Sequence, residues 1–194
     1  MLEEILIAGS GGQGVMLMGQ LLAYGAVYEG LEVTFYPSYG PEMRGGTANC
    51  TVVISDQKIG SPVRNTFTAL MAMNQASLKK FEDRVKSGGL VAYNETVIEK
   101  PPAREGVRFL AVPANRFASE LGNPQMANMV AVGALAGFLE VISFTSLSKG
   151  LARIIPSHRH HSIPINEKAI RKGLEIVDEM RKVDGERVIR KERS

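Results

Sequence analysis

Four glycines fall within the six positions Gly9-Ser10-Gly11-Gly12-Gln13-Gly14, directly after the apolar run Ile5-Leu6-Ile7-Ala8. Gly9, Gly11 and Gly14 fit the pattern G-x-G-x-x-G between a strand-like and a helix-like segment. Glycine permits a tight turn and leaves no Cβ between the backbone and an approaching phosphate. The N-terminus of a following helix adds unpaired N–H donors and a partial positive charge. Ser10 and Gln13 can supply side-chain hydrogen bonds. The turn reads as an anion or diphosphate site; the alternative is that its glycines only let a helix pack tightly on a sheet.

A dinucleotide needs more than the turn, because an acidic residue at the end of the second strand must bind a ribose hydroxyl. Here that strand ends Phe35-Tyr36-Pro37-Ser38, and Glu32 stands at its beginning, the wrong end for a ligand at the carboxyl edge. No G-K-[ST] follows the glycines, so a Walker A loop is excluded. A stand-alone NAD- or flavin-binding oxidoreductase remains the alternative function, and a scaffold whose turn binds nothing is a third.

The second loop with chemical content is Ser38-Tyr39-Gly40-Pro41-Glu42-Met43-Arg44-Gly45-Gly46. It is expected at the same carboxyl edge, forming one crevice with the glycine turn. Arg44 can grip a phosphate or carboxylate through paired N–H groups, and Glu42 can orient it or bind a hydroxyl. The competing reading is a loop ion pair or a contact with a partner chain, and both stay open. His158, His160 and His161 invite a metal, but Arg159 sits among them and no acid is near, so a solvated loop is expected. Cys50 alternates into a strand as a buried thiol.

The elements that must position these loops follow from period and punctuation. Residues 4–8 read as a strand, Gly14 to Glu29 as a helix, and Leu31 to Pro37 as a second strand lying beside the first. Thr47 to Ser55, Asn65 to Met73, Leu90 to Tyr93 and Val107 to Val112 read as further strands. Gln75 to Lys86 reads as a helix ended by Ser87-Gly88-Gly89. Helices are expected over Pro113–Gly122, Met126–Val141, Ser143–Ile154 and Asn166–Lys182. In the apolar helix, Gly133 to Gly137 lets another backbone approach, within the domain or across a subunit boundary. The fold class is α/β: a Rossmann-like, mostly parallel sheet flanked by helices, with a helical C-terminal portion. Residues 1–180 form one domain and 181–194 a charged, flexible tail.

Composition narrows the function. The formal charge of +3 lies wholly in the tail from Arg181, with six basic and three acidic residues, so no basic face for nucleic acid is expected. One cysteine in 194 residues excludes a disulfide framework or a four-thiolate cluster held by this chain, and suggests a reducing, cytoplasmic setting. The longest apolar run, Met129 to Leu139, falls short of the roughly 20 residues a membrane span requires, and the N-terminus shows no signal peptide.

Taken together, ILIAGSGGQGVMLMGQLLAYGAVYEG, SYGPEMRGGTANCTVVIS and LGNPQMANMVAVGALAGF resemble the gamma subunit of the 2-oxoacid:ferredoxin oxidoreductases, across most of residues 3–180. The spacing of GSGGQG and SYGPEMRGG is far more specific than the glycine pattern alone. The resemblance implies oxidative decarboxylation of a 2-oxoacid, nearest the 2-oxoglutarate type or the closely similar 2-oxoisovalerate type, with coenzyme A, giving acyl-CoA, CO2 and reduced ferredoxin. It implies thiamine diphosphate and iron–sulfur clusters in the complex, none held by this chain alone, since it has neither a G-D-G segment followed by paired asparagines nor enough cysteines. Alpha, beta and ferredoxin-like delta subunits would supply them, and a second copy of the chain is a further partner to test. The chain would complete the active-site region without being active alone, with Gly9 to Gly14 and Ser38, Tyr39, Glu42, Arg44, Gly45 and Gly46 facing the catalytic subunits or the phosphate end of coenzyme A.

Overall fold

The computed structural model describes residues 1–39, 47–99 and 104–192, with Tyr39 and 183–192 as backbone only. Strand β1 (Leu2–Ser10) is buried on both faces over most of its length and lies inside a six-stranded sheet of order β2-β3-β1-β4-β5-β6. The other strands are β2 (Glu32–Tyr39), β3 (Thr47–Ser55), β4 (Phe67–Ala72), β5 (Val85–Asn94) and β6 (Arg108–Val112). β1, β4, β5 and β6 run parallel, while β3 is antiparallel to both β1 and β2.

The expected class is observed, a mostly parallel sheet with flanking helices, but β2 does not lie beside β1. Only residues 40–46 join β2 to β3, and a parallel neighbour needs a crossover of about a dozen residues or more. β3 must therefore return antiparallel. Its register, Leu2↔Ser55 through Ser10↔Thr47, fills the place next to β1 and pushes β2 to the edge.

Side chains two apart share a face of the sheet. Ile5, Ile7, Ala69, Met71, Leu90 and Ala92 point to the larger core, and Leu6, Ala8, Leu70, Ala72 and Val91 to the smaller. The larger core is covered by α1 (Val15–Tyr28), α3 (Ala114–Glu120), α4 (Ala127–Leu139), α5 (Phe144–Ile154) and α6 (Ile163–Glu192). The smaller is covered by α2 (Gln75–Phe81) through Leu78 and Phe81. Each fully buried Leu or Ile stabilises the fold by roughly 1.5–3 kcal/mol.

Two boundaries differ from expectation. α2 stops at Phe81, a 3-10 turn spans Glu82–Arg84, and Ser87-Gly88-Gly89 lies inside β5. The pairing jumps from Phe67↔Val85 to Ala69↔Leu90, so the glycines form a bulge: Gly88 has φ +78°, and a Cβ on Gly89 would sit 2.8 Å from the carbonyls of Lys86 and Thr68. α6, expected over 166–182, extends from Ile163 to Glu192 and takes in most of the charged segment.

α4 is buried almost all round because α6 crosses it at a small-residue contact. A Cβ on Gly133 would overlap the carbonyl of Ile170, and one on Gly173 the carbonyl of Val130. The stretch Gly133 to Gly137 thus serves packing within the chain. This crossing holds the amino ends of α4 and α6 on the side of the sheet that α1 occupies, where the glycine turn opens. Among the described residues no helix is long and apolar enough to cross a membrane.

Candidate functional site

β1 delivers the chain to Ser10 at the carboxyl edge, and α1 begins at Val15. Of the glycines between, Gly12 has φ +95°, and a Cβ there would meet nothing within 4 Å, so it leaves open space. Gly14 has φ +74° and caps α1 with no side-chain hydrogen bond to the helix. Among the described residues no side chain caps the first N–H groups of α1, which stand at the positive end of the helix dipole. Gly9 and Gly14 also serve close packing: a Cβ on Gly9 would lie 2.9 Å from Val15 Cγ2 and 3.0 Å from Met73 Cβ, and one on Gly14 would overlap the Asn128 amide. The two readings of the turn therefore divide among its glycines.

Ser10 and Gln13 brace the turn. Gln13 Oε1 accepts from the Ser10 N–H at 2.7 Å, and Gln13 Nε2 donates to the Met73 carbonyl at 3.0 Å. Asn74 Nδ2 donates to Ser10 Oγ at 2.6 Å and to Gln13 Oε1 at 3.2 Å. Asn74 Oδ1 meanwhile accepts from the Ser77 N–H at 2.8 Å, capping α2. One asparagine just past the end of β4 therefore ties the glycine turn to the start of α2.

The turn forms one wall of a cleft of about 740 Å³. Its other walls come from the carboxyl ends of β4 and β5, the start of α4, and the segment from the end of α5 into α6. β1 leads its helix to one face of the sheet and β4 leads its helix to the other, and clefts at such switch points are where open sheets bind ligands. The lining is amide-rich: Gln13, Asn94, Asn115, Asn128 and Asn166 contribute, and among the described residues Arg159 carries its one charge. Asn94 ends β5 and Asn115 lies in the first turn of α3; pairing of β5 with β6 brings them together, with Asn94 Nδ2 donating to Asn115 Oδ1 at 2.6 Å.

Sequence patterning alone does not single out these amides. The available signal is a polar residue closing an apolar strand, Leu90-Val91-Ala92-Tyr93-Asn94, at the edge where ligands bind. Arg159, which in sequence spoils a histidine cluster, supplies the cleft's charge. The histidines are exposed, His160 Nε2 lies 2.9 Å from the Ile155 carbonyl, and no metal-binding group of side chains occurs among the described residues. Cys50 is wholly buried, its Sγ 3.4 Å from the Val15 carbonyl, and burial pushes the thiol up to about 12.

Ser38 and Tyr39 end β2, opposite Asn49 and Ala48, while Ser10 lies opposite Thr47. The carboxyl ends of β1 and β2 therefore share one edge, separated by the start of β3. Glu42, Arg44, Gly45 and Gly46 lie outside the described residues. Glu32 pairs with Ser55, at the opposite edge of the sheet from the glycine turn.

Residues 4–176 match the family model for pyruvate ferredoxin/flavodoxin oxidoreductase. Ketoisovalerate oxidoreductase subunit VorA of Methanothermobacter thermautotrophicus is 41% identical over 75% of this chain and 32% of its own length. 2-Oxoglutarate synthase subunit KorC of Methanocaldococcus jannaschii is 34% identical over 93% of this chain and 96% of its own. The chain thus spans about a third of the ketoisovalerate relatives and nearly all of the 2-oxoglutarate one. Among solved structures, a keto/oxoacid ferredoxin oxidoreductase gamma subunit from Geobacter sulfurreducens superposes with a TM-score of 0.77 at 30% identity, covering 90% of this chain and 97% of that one. The 2-oxoglutarate:ferredoxin oxidoreductase of Magnetococcus marinus, solved with 2-oxoglutarate, coenzyme A and succinyl-CoA bound, gives a TM-score of 0.82 at 27% identity, over 91% of this chain and 31% of that one.

Proposed function

The chain belongs to the pyruvate ferredoxin/flavodoxin oxidoreductase family, in extent and fold like its gamma subunits, and we propose that it completes the coenzyme A site of a 2-oxoacid:ferredoxin oxidoreductase complex. The reaction assigned to that complex takes a 2-oxoacid and coenzyme A to an acyl-CoA, CO2 and reduced ferredoxin. A cubane iron–sulfur cluster does not fit this chain, because it takes four thiolates and the one cysteine is buried with a raised pKa, and the sequence has no G-D-G segment followed by paired asparagines for thiamine diphosphate. Alpha, beta and delta subunits, or fused equivalents, supply those groups and pass electrons to ferredoxin.

The observation that carries this reading is the glycine turn, with its uncapped α1 opening onto the cleft at the carboxyl edge. Such a helix end suits the diphosphate of coenzyme A. In this proposal Arg44 grips a phosphate of coenzyme A and Glu42 orients it. In the reconstituted complex, Arg44→Ala should raise the apparent KM for coenzyme A; if only assembly changed, the segment from Ser38 to Gly46 would be an interface element instead.

2-Oxoglutarate is the proposed substrate, supported by the full-length likeness to subunits named for 2-oxoglutarate synthase. Copurification of the complex and assay against pyruvate, 2-oxoglutarate and branched-chain 2-oxoacids tests it. Highest kcat/KM for a branched-chain acid would overturn this choice.

A further inference from the structure

The two edges of the sheet are built differently. β6 has five residues, opens on Arg108 and runs into Pro113. Short length, charge and proline are the devices that keep an exposed edge from pairing with other chains. β2 forms the other edge, separated from β1 and its glycine turn by β3. Its eight residues pair with β3 from Glu32↔Ser55 to Tyr39↔Ala48 with no bulge, and they hold one charge, Glu32, at the beginning and one proline, Pro37, near the end. Among the described residues no strand lies on its outer side. Between Glu32 and Pro37 stand Val33, Thr34, Phe35 and Tyr36, all strand formers. Val33 and Phe35 pack on the larger core but are only partly buried, while Tyr36, on the opposite face, is 47% exposed.

We propose that β2 pairs antiparallel with β2 of a second copy of this chain, about a two-fold axis at Thr34, joining the two sheets into one. In an edge strand a proline stands with its missing N–H on the outer side, so Pro37 has no donor for a partner and the pairable stretch is Glu32 to Tyr36. By alternation Val33 and Phe35 also turn their N–H and C=O groups outward. Residues directly opposite in an antiparallel pair share a face, and only a two-fold through Thr34 uses the whole stretch. Glu32 then lies opposite Tyr36, Val33 opposite Phe35 in a hydrogen-bonded pair, and Thr34 opposite its own copy. The strand's single charge never meets its like. The apolar residues of the two copies meet on the face of the larger core, and the threonines meet on the other. This self-complementarity selects a second copy over an unrelated strand, which would have to carry the same pattern. It also closes the assembly, since each copy uses up its unguarded edge.

The test is sedimentation velocity of the full chain over about a hundredfold range of micromolar concentrations, with hydrogen exchange followed across β2. The dimer fraction should rise with concentration, and exchange at the Val33 and Phe35 amides should slow in step with it. Tyr36→Glu sets a carboxylate opposite Glu32 on both sides of the axis, at a position exposed in the lone chain, and should weaken the dimer about tenfold or more. Combining it with Glu32→Lys turns both repulsions into attractions and should restore the dimer to within about threefold of the unaltered chain. A merely structural effect of Tyr36→Glu would not be reversed in this way. The proposal is overturned if the chain stays monomeric over the whole range, if Tyr36→Glu leaves the dimer as tight as before, or if the double variant fails to recover it. Should Tyr36→Glu not fold, exchange on the unaltered chain decides: slowing at Val33 and Phe35 with rising concentration upholds the pairing, and exchange there independent of concentration overturns it.

Discussion

At Gly14 the backbone is left-handed and a Cβ would overlap the Asn128 amide, so Gly14→Ala meets strain and crowding together. A loss of about 2–4 kcal/mol of stability is expected from the two effects, read by denaturant melts. Gly12 has a similar backbone but open surroundings, so Gly12→Ala should cost only about 1–2 kcal/mol while still placing a methyl where a phosphate would approach. Buried Cys50, with its thiol pushed up to about 12, should be alkylated by iodoacetamide at pH 8 at least about a hundredfold more slowly in the native chain than after denaturation. Equal rates would mean that the strand carrying it opens readily. At this scale the glycine turn is legible in sequence because its residue types state their own geometry. Asn94 and Asn115 are not, because 21 positions separate them and only the β5–β6 register brings them together.

The crossing of α4 and α6 is the joint on which one wall of the cleft depends. Gly133→Ala or Gly173→Ala would drive a methyl into a facing carbonyl, and each should cost about 1–3 kcal/mol or more. An unchanged Tm would show that the crossing is looser than its geometry implies. A second joint binds the end of α1 to the start of α5: Glu29 Oε1 accepts from the Ser143 N–H at 2.8 Å. The Ser143 hydroxyl first, then its N–H, lowers the Glu29 pKa below its ordinary 4.5. A lowered carboxylate pKa contributes stability that is present above the unfolded value and lost as pH falls through the folded one. Glu29→Gln should therefore be less stable than the unaltered chain at neutral pH, with the gap closing as pH falls below the ordinary carboxylate value and through the lowered folded one; a gap independent of pH would contradict this. Strands and helices are largely legible from periods of two and 3.6. The Gly88-Gly89 bulge reads in sequence as a helix stop, since glycine permits both and only the pairing with β4 distinguishes them.

For the whole molecule, the place of β3 between β1 and β2 is illegible from periodicity, which says nothing about strand order. The brevity of the return between the strands holds the missing information. That order makes β2 an edge strand and sets its carboxyl end one strand away from the glycine turn. Among the described residues the cleft is neutral apart from Arg159, and a single cation is little for the several negative charges of coenzyme A. On the coenzyme A proposal Arg44 and the partner subunits add positive charge, and coenzyme A should bind the lone chain weakly and the complex much more tightly. The most direct test of the coenzyme A assignment is a structure of the assembled complex with coenzyme A bound. Diphosphate oxygens should then lie within hydrogen-bonding distance of backbone N–H groups between Gly12 and Leu17. Coenzyme A bound elsewhere, with the glycine turn covered by protein, would refute the assignment.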